Sequence, residues 1–389
     1  MMNEGLPYEV HVITGWQGRM MDNVTVKKRR IAFMNMRVCC LLCLAFLIMP
    51  CLNAQANDVV RYNGIPGSGR IQIYAHRAGR GLMPEQTLPA YFAALRLGVD
   101  YVDMDVGMTK DGVLVITHDL TLNSDLTRDQ NGRWITDRIP IKSLTLHELQ
   151  KYDVGRLKPG TQYASYFPYQ RPVDLTPVPT LREIVRFVKK IAGDKVGFQI
   201  EIKNDPTQPE LTASPKEFAQ ALYQLITEEN IGDRTEIHAF DWRCLIELNK
   251  LDKNIKTAYL TDHTTEVMDD TEKGNWTAGL LPKDYGYSLP KMVKHLGGCC
   301  WEPFEMDLTK SDLDEAHRLG LKVVVWGWPE KEGTEFNYAQ IEKLIDWGVD
   351  GFITDRPDIL RGILVTRGWN LPNGFEIQRD LLRTHSRDN

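Results

Sequence analysis

Ionisable side chains stand at the ends of several β-rich stretches of this sequence, where a sheet can bring them together. In chain order they are His76 and Arg77, Asp103 and Asp105, His118 and Asp119, and Glu201 and Lys203. Side chains two positions apart on a strand point to the same face, so the two neighbouring aspartates project together, as do Glu201 and Lys203. Three carboxylates converging with two imidazoles and two cationic groups predict one hard divalent cation beside an anion.

Each group suggests its own chemistry. A ligand set made of carboxylate oxygens favours Mg²⁺ or Ca²⁺ over Zn²⁺. His76 and His118 then remain available for proton transfer, because an unperturbed imidazole titrates near neutral pH. Arg77 and Lys203 are suited to holding an oxyanion such as a phosphodiester.

None of these pairs is informative alone. An isolated Asp-x-Asp or His-Asp sequence usually marks a solvated strand end, and an isolated Glu-x-Lys is more often an exposed ion pair. Trp326, farther along the chain, can simply cap a core. The prediction depends on four such pairs ending successive predicted strands.

The elements that must position these residues alternate from Ile71 onward. Strands are predicted at 71–76, 101–106, 113–118, 196–203, 235–240, 255–260, 299–304, 322–326 and 351–355. Helices are predicted at 85–98, 144–153, 179–192, 215–229, 241–250, 309–319 and 337–347, with Thr145 and Thr180 as N-cap residues.

About eight strands, most of them followed by a helix, predict an α/β protein with a closed (β/α)₈ (TIM) barrel. In that fold, catalytic side chains gather at the carboxyl ends of the strands. An open doubly wound sheet is the alternative, since periodicity does not show closure, but no glycine-rich phosphate loop follows the first strand. The segments 154–178 and 262–298 are predicted to be long irregular insertions.

The first 56 residues have the pattern of a leader. A basic stretch that begins at Lys27 precedes an apolar run from Val38 to Leu52, and a small-x-small site ends at Ala56. This pattern predicts a secretory signal peptide that is too short for a comfortable membrane span. A retained signal-anchor and a lipoprotein signal are the alternatives. Met34 or Met36 is the expected true start, which would make residues 1–33 an over-long gene prediction.

Cleavage after Ala56 would leave residues 57–389 as one barrel domain, exported to the periplasm or secreted, with no stable membrane span. The whole chain has a net charge of −5, and removing six basic and three acidic residues with the leader makes it −8. An acidic exported protein suits a divalent cation better than a nucleic acid. A small-molecule phosphodiester is the expected substrate, because Arg77 and Lys203 are suited to holding an oxyanion, and the oligomeric state is left open.

Several segments resemble the glycerophosphodiester phosphodiesterase family. The block AHRAGRGLMPEQTLPAYFAALRLGVDYVDMDVGMTKDGVLVITHD (75–119) is similar to the opening block of that family. The similarity continues, in order, through TPVPTLREIVRFV, QIEIK, HAFD, HRLGLKVVVW and GVDGFITDRPDIL, and so covers nearly all of 71–360. The resemblance implies a barrel of the phospholipase-C-like phosphodiesterase type. It also implies hydrolysis of glycerophosphodiesters to sn-glycerol 3-phosphate and an alcohol.

Carried over by position, the resemblance implies a role for each candidate residue. His76 and His118 would be the acid–base pair. The divalent cation, Ca²⁺ or Mg²⁺, would be bound by Asp103, Asp105 and Glu201. Phosphate contacts would come from Arg77 and Lys203, with Glu85 orienting the first loop and Trp326 lining the organic moiety.

The sequence departs from the family pattern at four places. Asp103 stands where the family usually has the longer glutamate, Gln86 replaces an asparagine, Ala78 follows His76-Arg77, and Gly327-Trp328 follows the tryptophan. Two other functions fit the same residues. One is lysophospholipase D-type activity, with 262–298 as a cradle for an acyl chain, and the other is a non-catalytic barrel that binds glycerophosphodiesters.

Overall fold

The computed structural model describes residues 70–262, 273–327 and 337–377. Its strands are β1 (Gln72–Ala75), β2 (Tyr101–Met108), β3 (Leu114–Ile116), β4 (Gly197–Ile202), β5 (Thr235–Ala239), β6 (Lys256–Thr261), β7 (Cys300–Pro303), β8 (Lys322–Trp326) and β9 (Gly351–Thr354). Its α-helices are α1 (Leu88–Leu97), α2 (Leu146–Leu149), α3 (Gln162–Tyr166), α4 (Leu181–Ala192), α5 (Pro215–Glu229), α6 (Trp242–Leu251), α7 (Leu289–His295), α8 (Lys310–Arg318), α9 (Tyr338–Trp347) and α10 (Pro357–Thr366).

Eight parallel strands close into a barrel. The strand order around it is β1-β9-β8-β7-β6-β5-β4-β2, and β1 pairs with β2 to complete the ring. Helices follow most of the strands and cover the outside of the sheet, where their apolar faces pack. The predicted (β/α)₈ barrel is confirmed, and the open doubly wound sheet is excluded by the β1–β2 pairing.

The third predicted strand, 113–118, is not a barrel strand. β3 is short and runs antiparallel to β2, with Val106 opposite Ile116 and Met108 opposite Leu114. The chain turns at Gly112, which has a positive φ of 78°. It then runs back along the last residues of β2, Val106–Met108. The expectation that His118 ends a parallel strand was therefore wrong, although the returning hairpin still brings this residue back to the ends of the parallel strands.

Helix boundaries follow the expected capping chemistry. Thr180 accepts a hydrogen bond from the Glu183 amide while the Glu183 side chain accepts one from the Thr180 amide, a capping box that begins α4. The same arrangement joins Thr145 and Glu148 at the start of α2, but that helix ends at Leu149, well before the predicted residue 153.

The barrel interior contains polar as well as apolar side chains. Tyr74 and Tyr101 stack with their ring centroids 4.4 Å apart. Below them Lys322 Nζ lies 2.9 Å from the Tyr74 hydroxyl and 3.1 Å from Glu236 Oε1, so this buried ammonium is paired. Buried charges are tolerated only with such partners, and this cluster fills the end of the barrel opposite the ionisable strand ends.

Both predicted insertions are only partly irregular. The first, 154–178, contains α3, and the described part of the second, 262–298, contains α7 and a 3₁₀ turn at Pro282–Tyr285. The predicted leader, with its start and cleavage site, lies outside the described residues and stays a prediction. Within the described ranges, no helix has the length and apolar character that crossing a membrane requires.

Candidate active site

The carboxyl ends of the barrel strands form a mouth where the predicted residues meet. Residues that pair in a parallel sheet point to the same side, and Asp105, Glu201 and His238 lie in register on β2, β4 and β5. Asp103 is one step lower on β2 and faces the same way. The alternation of side chains along the strands therefore places the carboxylates on one face, as expected. His238, which the sequence analysis did not single out, lies on the same face.

His76 is held by a carboxylate from the last strand. Its Nδ1 lies 2.6 Å from Asp355 Oδ1, and Arg80 Nε donates to the same oxygen at 2.7 Å. Burial raises the pKa of Asp355, but the positive charge of Arg80 and the His76 ring outweigh it and hold that pKa well below its usual range. Asp355 therefore stays ionised, fixes the tautomer of His76 and can balance a positive charge on its ring.

The loop after β1 is organised by buried ion pairs. Arg77 Nη1 donates to Glu85 Oε1 at 2.8 Å, and Arg77 Nε lies 3.4 Å from Asp105 Oδ2. The Tyr163 hydroxyl, from the first insertion, donates to the other oxygen of Glu85. Arg77 is only 2% exposed, so its guanidinium is part of the wall of the mouth. Glu85 accepts hydrogen bonds from both Arg77 and Tyr163, and these contacts are the kind that would orient the loop.

Three residues of this loop have backbone conformations that residues other than glycine rarely adopt. Arg77, Ala78 and Gln86 have positive φ values of 47°, 63° and 63°. Non-glycine residues in this region cost about 1–2 kcal/mol each. The bent loop directs the backbone N–H of Arg77 at Asp103 Oδ2, which accepts from it at 2.8 Å, and the side-chain Nε2 of Gln86 donates to Asp105 Oδ2.

The three predicted metal ligands are close but are not yet arranged as a complete site. In the part of the chain that the structure describes, no group of three or more histidine, cysteine or acidic side chains has the geometry of a metal centre. Two observations nevertheless fit a cation. Asp105 and Glu201 lie in register on neighbouring strands, and the buried Asp103 Oδ1 has no hydrogen-bond partner among the described residues apart from its 3.2 Å ion-pair contact with His238 Nε2.

Lys203 and His118 stand beside this acidic group. Lys203 Nζ donates to Glu201 Oε1 at 2.6 Å. Burial raises the pKa of Glu201, but Lys203 and His238 lower it more, so it falls below its usual value. His118 Nδ1 lies 2.7 Å from Asp119 Oδ1. Burial lowers the pKa of His118 well below that of a free imidazole, and the positive charges of Arg77 and Lys203 lower it further.

A cavity of about 610 Å³ opens next to His118, Glu201 and Lys203. Its wall includes Phe240 and Trp276, and Lys203 Nζ lies 5.9 Å from the centre of the Phe240 ring. Trp326, by contrast, is 8% exposed and packs edge-to-face against Phe240, while its Nε1 donates to the Glu302 carbonyl. The structure thus places Trp326 as a cap over the barrel interior, behind the aromatic residues that line the cavity.

Sequence reasoning missed four residues of the mouth. They are Arg80, His238, Glu302 and Asp355. His238, Glu302 and Asp355 lie on or directly after barrel strands. A search for ionisable residues at the ends of the later predicted strands, as was made for the earlier ones, would have found them. Arg80 follows β1 in a loop, and no sequence pattern signals its contact with the last strand.

The fold and the mouth define a class of protein, namely a (β/α)₈-barrel enzyme that gathers ionisable side chains at one end of the barrel. The glycerophosphoryl diester phosphodiesterase family matches residues 76–359 of the chain. The chain belongs to the glycerophosphoryl diester phosphodiesterase family.

Proteins named as glycerophosphodiester phosphodiesterases are similar to most of the chain. The glycerophosphodiester phosphodiesterase of Caldanaerobacter subterraneus subsp. tengcongensis is 28% identical over 289 residues, which cover 74% of this chain and 95% of the relative. The glycerophosphodiester phosphodiesterase of Bacillus subtilis is 25% identical over 328 residues, covering 82% and 93%.

Solved structures show the same fold. A structure from Silicibacter pomeroyi assigned to this family superposes with a TM-score of 0.66 at 31% identity, covering 78% of this chain and 95% of that one. An Oleispira antarctica phosphodiesterase, solved in complex with the product sn-glycerol-3-phosphate, superposes with a TM-score of 0.55 at 19% identity, covering 77% and 98%.

Proposed function

We propose that this chain hydrolyses glycerophosphodiesters to sn-glycerol 3-phosphate and an alcohol, using His76 and His118 as its acid–base pair and one divalent cation. The observation that carries the proposal is that two carboxylate-backed histidines lie at the same end of the barrel as a carboxylate cluster and Lys203. A site that only bound the diester would have no use for two groups that transfer protons.

Asp103, Asp105 and Glu201 would hold the cation. The register of the strands supports this, because Asp105 and Glu201 are directly paired on β2 and β4 and Asp103 faces the same side of β2. Their oxygen ligands favour Ca²⁺ or Mg²⁺. When bound, the cation would neutralise charge on a non-bridging oxygen of the phosphodiester.

The surroundings of the two histidines suggest how they divide the proton transfers. His118 has a lowered pKa, so it is neutral at neutral pH and suited to accept a proton from the nucleophile. His76 is backed by the buried, ionised Asp355, which stabilises a ring that carries the proton for the leaving alcohol. In both residues the carboxylate faces Nδ1, so Nε2 is the nitrogen that would exchange protons with the substrate.

Lys203 and Arg77 would bind the phosphate. Lys203 lies at the edge of the cavity and places an ammonium beside the proposed cation ligands. Arg77 is fixed by Glu85 and Asp105, so it contributes a positive charge with little freedom to reorganise. Preorganised charge of this kind is most effective on a transition state that gains negative charge.

The cavity beside His118 would receive the alcohol. Leu211, Phe240 and Trp276 form an apolar part of its wall, beside polar residues that include Arg138 and Asn204. Because Trp276 comes from the second insertion, this wall keeps lysophospholipase D-type activity as a second candidate. Comparing rates on glycerophosphocholine and on its lyso-lipid parent, at matched concentration, separates the two substrates.

A metal series tests the cation. Purified chain treated with excess EDTA should lose turnover of glycerophosphocholine and regain it on addition of a divalent cation. Glu201→Gln should weaken the activating cation, whereas Glu247→Gln, on the exposed side of α6, should not. Full turnover in excess EDTA would contradict the metal-dependent mechanism.

A further inference from the structure

His238 lies among the proposed cation ligands and has no role in the mechanism above. It is on β5, 2% exposed, and in register with Glu201, which is itself in register with Asp105. Three neighbouring strands thus direct Asp105, Glu201 and His238 to the same side of the sheet at one level. The imidazole therefore lies next to the two carboxylates, on the adjacent strand.

The orientation of the ring is fixed from behind. His238 Nδ1 lies 2.8 Å from Glu302 Oε2, and the other oxygen of Glu302 accepts from Gln199 Nε2 at 2.8 Å. Glu302 and Gln199 are fully buried. A carboxylate held against Nδ1 keeps the proton of a neutral imidazole on that nitrogen and turns the Nε2 lone pair away from it, the arrangement found behind histidines that bind metals.

Nε2 then faces Asp103. The two atoms His238 Nε2 and Asp103 Oδ1 are buried and 3.2 Å apart, and beyond this ion-pair contact neither has a hydrogen-bond partner among the described residues. Buried polar atoms without a well-formed hydrogen bond are rare in native proteins, and a cation bound between these two atoms would satisfy both. Two ligands at about 2.1 Å from one metal ion lie roughly 3.0–3.4 Å from each other, and the observed separation falls within that range.

We propose that His238 Nε2 is a ligand of the divalent cation, paired with Asp103 Oδ1 and supported by Glu302. This inference rests on the proposed function, because it concerns the same cation. An imidazole nitrogen is a poor ligand for Ca²⁺ but suits first-row transition metals. The site therefore prefers an ion such as Mn²⁺ over Ca²⁺, which an all-oxygen ligand set would not do.

The test measures Mn²⁺ binding to the full purified chain directly. Calorimetric titration gives the affinity, and pulsed electron paramagnetic resonance detects a nitrogen bound to the ion. In His238→Gln we expect the nitrogen signal to disappear and the affinity for Mn²⁺ to fall about 10- to 100-fold, with a smaller change for Ca²⁺. Glu302→Gln, which leaves the ring in place, should weaken Mn²⁺ binding in the same direction.

His317→Gln is the matched control. His317 is also a histidine paired with an aspartate, with Nε2 3.0 Å from Asp350 Oδ2, but it is on α8 outside the barrel. This variant should keep both the affinity and the nitrogen signal. If His238→Gln does not fold, spectra of His76→Ala and His118→Ala decide, because the nitrogen signal should persist in both.

The outcomes separate this inference from the proposed function. Mn²⁺ that binds without a nitrogen signal, or with equal affinity in His238→Gln, would overturn the role of His238 and leave the hydrolysis intact. Either result would mean that His238 is a buried, protonated side chain paired with Asp103 and Glu302. Wild-type chain that binds no divalent cation would overturn this inference and the cation requirement together, while turnover in EDTA would still report on hydrolysis.

Discussion

His76 and His118 each have a carboxylate against Nδ1, but the two carboxylates differ in their surroundings. Asp355 is buried and shared with Arg80, whereas the side chain of Asp119 is 37% exposed. His118 also retains 24% exposure beside the cavity. The difference places the more rigid dyad at His76 and the more accessible ring at His118, which suits an acid held in place and a base open to the nucleophile.

Replacing His118 with alanine should lower kcat about 10²–10⁴-fold, because the nucleophile would lose its proposed base. The exposed His147, at the surface helix α2, provides the control, since His147→Ala should leave steady-state kinetics unchanged. An unaltered kcat in His118→Ala would remove this residue from the mechanism.

The lowered pKa of His118 predicts the pH profile. A base must be unprotonated, so the acidic limb of kcat/KM should lie below about 6.5, the value of an unperturbed imidazole. Lys203→Met removes one of the positive charges that lower this pKa, and should move the limb to higher pH even though the rate falls. A limb that stays in place in Lys203→Met would contradict the electrostatic account.

Asp355 should stabilise the fold in a pH-dependent way. Its pKa is lower in the folded chain than the roughly 3.9 of an unfolded aspartate, so the charged form contributes stability above that value. That contribution is lost as the pH falls through the folded pKa. Asp355→Asn should therefore cost about 3 kcal/mol at pH 7, and the gap in Tm to the wild type should narrow only below about pH 4. Equal Tm values at pH 7 would be the contrary result.

For individual residues, the sequence could predict those contacts that depend only on spacing along one strand. Asp103 and Asp105 share a face because they are two apart on one strand, and this could be predicted. The contact between His76 and Asp355 joins the first and last barrel strands, and the contact between His238 and Asp103 crosses β4. Both depend on closure and register, which local patterns do not specify.

Among the elements, the β2–β3 hairpin has the most direct effect on the site. Thr117, next to His118, donates its amide to the Asp105 carbonyl at 2.9 Å, which ties the returning strand to the strand that carries two of the proposed cation ligands. The sequence predicted a strand here but not its direction, because an apolar run that is buried on both sides looks the same in either direction.

Gly107 tests the hairpin. A Cβ at this position would lie 2.7 Å from Thr117 Cγ2, closer than the two groups can approach, so Gly107→Ala should displace the strand that leads to His118. We expect kcat to fall about tenfold or more, because small displacements of a catalytic group are costly, with only a modest change in Tm.

Gly362→Ala is the matched control for that variant. Gly362 is in α10, and no described atom lies within 4 Å of an added Cβ. It should keep kcat and gain about 0.5–1 kcal/mol of stability from better helix propensity. Gly107→Ala with unchanged kcat would show that the position of His118 does not depend on this contact.

For the whole molecule, alternation of strands and helices was enough to predict the barrel, since most of its contacts are between elements that are neighbours in the chain. The closing pair β1–β2 and the polar interior, with Lys322 and Glu236 at one end and His238 and Glu302 towards the other, could not be read in this way. Their partners come from strands on different sides of the ring, so they appear only once the barrel closes.

The central claim concerns the bond that is broken at the mouth of this barrel. Phosphorus NMR of glycerophosphocholine incubated with the purified chain and a divalent cation measures it directly. The account predicts that the diester signal is replaced by that of sn-glycerol 3-phosphate, and that His76→Ala and His118→Ala slow the conversion strongly. An unchanged diester signal, or the appearance of phosphocholine in place of sn-glycerol 3-phosphate, would contradict it.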